Sequence, residues 1–187
     1  MDPSSVFYVD PVLHHGRPED DSGRSELERK AYDCLDRLGI RYDRVDHDPA
    51  ATIADCEGVD RILGVRMCKN IFLCNRQKTS FYLLLLPGEK QFVTKDFAAA
   101  LGIARTSFAS HEDMERLLGI RPGAVTVLSL MNDVDRMVRL VIDREVLSAP
   151  SVGCHPLVNT SSVRIRTEDL MNVFLPAVRH DATVIDL

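Results

Sequence analysis

The stretch KNIFLCNRQKTSFYLLLLPG, residues 69–88, decides the fold. Two apolar runs flank the polar NRQKTS, which predicts a β-hairpin with a longer loop. The second run, FYLLLL, has no polar–apolar alternation. A strand with one face in water alternates, whereas an unbroken apolar run belongs to a strand covered on both faces. The centre of the molecule is therefore a sheet with structure packed on each side. The run falls far short of the roughly 20 apolar residues that a membrane-spanning helix needs.

Upstream of the hairpin, Ser25-Glu26-Leu27-Glu28 reads as a capping box, and Leu27, Ala31, Cys34, Leu35 and Leu38 follow at helical spacing up to Gly39. RYDRVDHD predicts a strand, and Thr52 with Asp55 opens a second helix that closes near Gly64. Downstream, Thr94 opens a short helix and Ser110 another, with Asp113 at the capping-box position. RPGAVTVLSLMND predicts a turn and then an apolar segment. RMVRLVIDREV and SSVRIR predict strands, and TEDLMNVFLPAV a final helix. There is no internal repeat and no low-complexity tract. The class is α/β (α+β): a mostly buried mixed sheet with helices packed around it. Residues 1–24 run from apolar VFYVDPVL into HHGRPEDDSGR and are expected to be an extension or loosely docked arm, with residues 25–187 as the domain.

A chain of 187 residues suits one domain with a real core, and 45% apolar with 27% charged residues is ordinary for a globular protein. The net charge of −5 argues against a protein that coats nucleic acid, but leaves room for a local basic patch that grips one RNA end. The five cysteines form no C-x-x-C pair, and the start MDPSSVFYVD lacks a basic segment followed by an apolar one. A cytoplasmic protein with free thiols, mostly small core residues, is expected. No phosphate-cradling glycine motif, serine-hydrolase elbow or metal-ligand spacing is present, so no cofactor and no metal is expected.

Two residues stand out. Lys69 sits among apolar neighbours on a strand beside a central one, where lysine seldom goes without a partner. It is either an edge lysine reaching for water or a fixed ammonium aimed into a cleft, where it would hold a phosphate or a developing anion. His155, in SVGCHPLVNT (residues 151–160), is either a turn residue or part of a site. A Cys154–His155 nucleophilic pair is disfavoured, since adjacent side chains on an extended segment point to opposite faces.

Taken together, KNIFL at 69–73, FYLLLLPG at 81–88, PGAVTVLSLMND at 122–133 and CHPLVNT at 154–160 resemble the YbaK/ProX family of aminoacyl-tRNA deacylases, in its free-standing ProX branch. The resemblance covers roughly residues 25–185. It implies a curved, partly barrel-like mixed sheet and hydrolysis of mischarged tRNA, with alanine on tRNA(Pro) as the expected substrate. Deacylation of cysteinyl-, seryl- or threonyl-tRNA, a noncatalytic tRNA-end-binding module and a plain small-molecule-binding domain remain open. By the same resemblance, Lys69 contacts the terminal adenosine or its phosphate and Asn70 follows it. Gly153, Cys154 and His155 form the loop that lines the aminoacyl site, with Asn159 and Thr160 beside it. Pro122, Gly123, Val125 and Thr126 match a pocket wall. Two residues depart from the pattern: Val127 where a proline is expected, and Cys154 where an aromatic is expected. The implied partners are the aminoacylated 3′ end and acceptor stem of tRNA, with transient association with prolyl-tRNA synthetase and no membrane.

An aminoacyl ester is already activated, so the chemistry needs a held carbonyl, a placed water and a stabilised oxyanion, not a protein nucleophile. The expected mechanism uses backbone of the 153–155 loop and the substrate's own ribose 2′-hydroxyl.

Overall fold

The computed structural model describes residues 7–50, 52 and 54–187. The expected hairpin is present: β3 (Cys68–Asn75) pairs antiparallel with β4 (Phe81–Pro87). β4 is central, because β6 (Val138–Asp143) lies parallel on its other side. Its unbroken apolar run divides between two cores. Phe81, Leu83 and Leu85 enter one, and Tyr82, Leu84 and Leu86 the other. All six are buried, which is why no alternation shows.

The described residues form two sheets, where the sequence led us to expect one. The five-stranded sheet runs β5-β3-β4-β6-β9, with β5 at Thr106–Phe108 and β9 at Ala182–Ile185. The four-stranded sheet runs β1-β2-β8-β7, with β1 at His14–His15, β2 at Tyr42–Asp46, β7 at Ser151–Cys154 and β8 at Ser161–Arg166. Neither closes into a barrel. A parallel bridge between Met67 and Gly153 joins them at the foot of β3. One core fills the space between the sheets, from Tyr32 and Leu35 through Phe72 and Leu140 to Val163 and Phe174. A second lies outside β3 and β4 around Phe97, and a third outside β2 around Val45, Val59 and Met67.

The helices start where side chains cap them. Ser25 accepts from the Glu28 amide at the head of α1 (Glu26–Arg37), and Ser110 from the Asp113 amide at the head of α4 (His111–Leu118). Thr52 and Asp55 bond each other's amides before α2 (Glu57–Leu63). Thr94 is the first residue of α3 (Thr94–Leu101), not its cap. RMVRLVIDREV is only half strand: Asp143 caps α5 (Arg144–Ser148) by accepting from the Glu145 amide. The final helix has α6 (Thr167–Asp169) and α7 (Leu175–Ala177) joined by a π-helical turn at Leu170–Phe174. Pro176 has no amide to donate, and its ring crowds the carbonyl four residues back, so the backbone widens ahead of it.

Residues 7–24, expected to be an extension or loosely docked arm, pack against the domain. β1 pairs with β2, Val9 bridges His47, and Phe7, Val9 and Leu13 pack on the third core. The first six residues of that arm lie outside the described residues.

Candidate active site

The Met67–Gly153 bridge organises the candidate site. A Cβ added at Gly153 would stand 2.8 Å from Met67 Sδ, 3.1 Å from the Arg66 carbonyl oxygen and 3.2 Å from Met67 Cα. Only glycine lets β7 lie this close to the foot of β3. The bridge is a single parallel contact, and it sets the end of β7 against the start of β3. The cysteines on either side of the bridge are neighbours. Cys68 lies close enough to Cys154 to oppose its ionisation, and the Gly153 amide reaches the Cys68 sulfur. Burial, first, and then its thiol neighbour push Cys154 up to about 12, although Thr126 hydrogen-bonds the sulfur. A thiol so far from its thiolate is no nucleophile.

Past β7 the chain turns through His155-Pro156-Leu157. Leu157 is buried and holds φ at +63°, a conformation that costs a non-glycine residue about 1–2 kcal/mol. Hydrogen bonds from Asn159 and Thr160 to the 47–50 segment hold the turn. The Ala50 amide donates to the Asn159 carbonyl at 2.9 Å, Asn159 Nδ2 to the Ala50 carbonyl at 3.2 Å, and the His47 amide to the Thr160 carbonyl at 3.0 Å. Gly123 (φ +87°) brings the Pro122–Thr126 turn alongside, where an added Cβ would lie 3.3 Å from Asn159 Nδ2. Thr160 is exposed at the rim, and Val125 packs on the core between the sheets.

His155 is part-buried. Its Nδ1 lies 3.0 Å from the Ser161 carbonyl oxygen, which can only accept, so Nδ1 carries the proton. The neutral ring then has its lone pair on Nε2. Burial pulls its pKa down to about 4, with the neighbouring His47 as a smaller cause. Burial also lowers His47. Two histidines held neutral make stability depend on pH. As pH falls below the ordinary histidine value of about 6.5, the unfolded chain takes up protons that the folded chain refuses. Stability is therefore expected to fall by on the order of 2 kcal/mol between about pH 6.5 and pH 4, and His155→Asn should flatten that slope in urea unfolding followed across the range.

Lys69 occupies a different position. It shares a face of β3 with Ile71 and Leu73, which pack in the outer core, whereas Cys68, Asn70 and Phe72 face inward. Its ammonium donates to the Lys90 carbonyl at 2.9 Å. Asn70 Nδ2 donates to the Cys68 carbonyl at 3.1 Å, and Asn70 Oδ1 is buried without a partner. A cleft of about 970 Å³ opens on the near side of the bridge between Asp60, Cys68, Pro87, Lys90, Ser151 and Val152, and none of the residues expected from sequence lines it. The structure thus gathers Asn70, Thr126 and Cys154 on the inner side of the junction, and Gly123, His155 and Asn159 around the turn beyond it. Lys69 stands on the outer face beside them.

The family model described as "Aminoacyl-tRNA editing domain" matches residues 47–173, well over half of the chain and spanning every residue of this junction. The chain belongs to the aminoacyl-tRNA editing domain family. It is an editing deacylase, an ester hydrolase acting on mischarged tRNA. The domain is 30% identical over 139 residues to the "Prolyl-tRNA editing protein ProX" of Acetoanaerobium sticklandii, covering 74% of this chain and 85% of that one. It is 29% identical over 167 residues to "Prolyl-tRNA synthetase associated domain-containing protein 1" of Mus musculus, covering 87% of this chain and 95% of the relative. Among solved structures, one described as a candidate trans-editing enzyme for prolyl tRNA synthetase superposes with a TM-score of 0.64 at 16% identity, covering 87% of this chain and 98% of that chain, a likeness of fold.

Two neighbours of His155 are not legible in the sequence. His47 and Ser162 meet at 2.9 Å, and Ser162 Oγ lies 3.3 Å from His155 Nδ1. No spacing rule could have paired them, because β2 and β8 bring them together only through their antiparallel register, in which Asp46 faces Ser161.

Proposed function

We propose that this editing domain removes alanine from mischarged tRNA(Pro), acting in trans. The Met67–Gly153 bridge supports the reading, because it brings the start of β3, which carries Lys69 and Asn70, against the strand that leads into His155. The relative's name, a prolyl-tRNA editing protein, supports proline tRNA as the carrier.

In this reading, backbone of the 153–155 turn orients the ester carbonyl and the attacking water, and His155 lines the acyl site with Nε2 free to accept. Lys69 has two donors left beyond the Lys90 carbonyl and anchors the 3′-terminal nucleotide. The unpartnered Asn70 Oδ1 takes a hydrogen bond from a donor on the substrate. Gly123 and Val125 border the acyl site with Cys154 and Thr126 buried behind them, and Asn159 and Thr160 hold its rim. The substrate's 2′-hydroxyl supplies the assistance that no protein nucleophile does here. Selectivity comes from size. A synthetase gains only about 1–3 kcal/mol per methylene against a smaller amino acid, so a second site that admits alanine and excludes proline corrects it. Association with prolyl-tRNA synthetase would bring that second site to the freshly charged end.

Purified protein assayed against a panel of charged tRNAs tests this. Alanyl-tRNA(Pro) is expected to be hydrolysed at least about a hundredfold faster than prolyl-tRNA(Pro). Faster turnover of cysteinyl-, seryl- or threonyl-tRNA would reassign the acyl group. RNA binding without turnover would reject the reading.

A further inference from the structure

We propose that His47 is a positioning residue: by accepting the Ser162 proton it keeps that hydroxyl from capturing Nδ1 of His155, and so holds His155 in the tautomer whose Nε2 lone pair is free. This rests on the reading of His155 as part of the acyl site.

The hydrogen bonds run in one direction. His47 Nδ1 lies 2.7 Å from the Asp48 carbonyl oxygen, so Nδ1 carries the proton and Nε2 can only accept. Ser162 Oγ, 2.9 Å from that Nε2, must then donate to it. Its oxygen is left to accept, and the group 3.3 Å away is His155 Nδ1, which also donates to the Ser161 carbonyl at 3.0 Å. Both serines are fully buried and His47 nearly so, so the Ser162 proton has no water to turn to. A buried hydroxyl without an acceptor costs about 1–3 kcal/mol, enough to reorganise its neighbours. With His47 gone, the acceptor open to Ser162 is Nδ1 of His155. Taking that bond moves the imidazole proton to Nε2 and removes the lone pair.

The N-terminal arm holds His47 in place. The Phe7 ring sits 5.9 Å from the His47 ring, Val9 bridges the His47 backbone, and the Tyr8 amide donates to Asp48 Oδ2 at 2.9 Å while the Asp48 amide donates to the Tyr8 carbonyl at 3.0 Å. These arm residues precede the segment matched by the family model.

The test reads the ring nitrogens of His155 directly, by long-range ¹H–¹⁵N correlation in the full-length protein labelled at histidine, alongside kcat on alanyl-tRNA(Pro). In the wild type, Nδ1 is expected to be protonated and Nε2 bare. His47→Phe should shift the proton toward Nε2 and lower kcat about tenfold, with KM within about twofold. His47→Gln, whose carboxamide oxygen can still accept from Ser162, should keep both at wild-type values. The decisive variant is His47→Phe combined with Ser162→Ala. It removes the misdirected hydroxyl, so the original tautomer should return and kcat should recover. A network that merely stabilises the fold predicts that the second substitution worsens the first. Unchanged nitrogen shifts in His47→Phe, or a double variant no better than the single, overturns the proposal. Should His47→Phe not fold, His47→Leu carries the same expectations. Shifts that move while kcat stays constant would uphold the tautomer device and remove His155 from the acyl site.

Discussion

Gly153→Ala is expected to cost the protein both stability and turnover. The substitution asks for one methyl group where 2.8 Å separates the Cβ position from Met67 Sδ and little more than 3 Å separates it from two backbone atoms. The thioether can swing away, but the Arg66 carbonyl and Met67 Cα cannot, because they belong to the chain that leads into β3. Relief must come from the strands moving apart. Overpacking of this kind costs about 1–3 kcal/mol, which chemical denaturation would read as a lower midpoint at unchanged slope. The loss of activity should be larger than that figure implies. Separation of β7 from β3 moves the 153–155 turn relative to Lys69 and Asn70, and a displacement near 1 Å between reacting groups can cost about a hundredfold in rate. A drop in kcat/KM of at least about a hundredfold on alanyl-tRNA(Pro) is therefore expected, with the fold retained by circular dichroism. Gly123→Ala provides the contrast. Its Cβ would meet a movable Asn159 amide at 3.3 Å, although φ of +87° adds backbone strain. Equal and small effects at both glycines would mean that the junction does not organise the site.

The same junction separates what was legible in the sequence from what was not. The hairpin at 68–87 declares itself because both faces of β4 are buried and its register leaves no choice of pattern. Capping residues mark the helix starts at Ser25 and Ser110 because the bond they make is local. The division into two sheets is not written locally. β7 is short and includes Gly153-Cys154 ahead of a proline, so it reads as a turn and becomes a strand only by pairing with β8 on one side and touching Met67 on the other. β9 and β5 are short segments whose partners lie far away in the chain. The arm reads as loose because Gly16, Pro18 and a run of acids dominate it, yet Arg24 pairs with Asp46 and Arg17 with Asp33, and three apolar side chains reach the third core. Within the site, residue types that are rare in apolar surroundings, Lys69 and His155, drew notice from sequence. His47 and Ser162 did not, since a histidine after a strand and a serine at the start of one are unremarkable until their geometry is known.

Lys69→Ala should remove most of the activity and little of the stability. The side chain is part-buried and its described hydrogen bond goes to a backbone carbonyl, Lys90, which can turn to water when the ammonium is lost. Stability should therefore fall by about 1 kcal/mol, the net worth of an ordinary hydrogen bond. Against substrate the balance differs. A hydrogen bond between an ammonium and a phosphate or ribose of the terminal nucleotide is worth about 1.5–3 kcal/mol, so kcat/KM should drop about ten- to a hundredfold. The charge, not the stem, is the active element. Lys69→Met keeps the apolar stem and should fail as badly as alanine, whereas Lys69→Arg should recover part of the loss. The loss should also shrink as salt rises, because the interaction removed is between full charges near solvent. Near-normal hydrolysis by Lys69→Ala would take the lysine out of the site. It would leave Lys69 as a strut between β3 and the Pro87–Lys90 turn, with catalysis resting on the 153–155 backbone and the substrate's own hydroxyl.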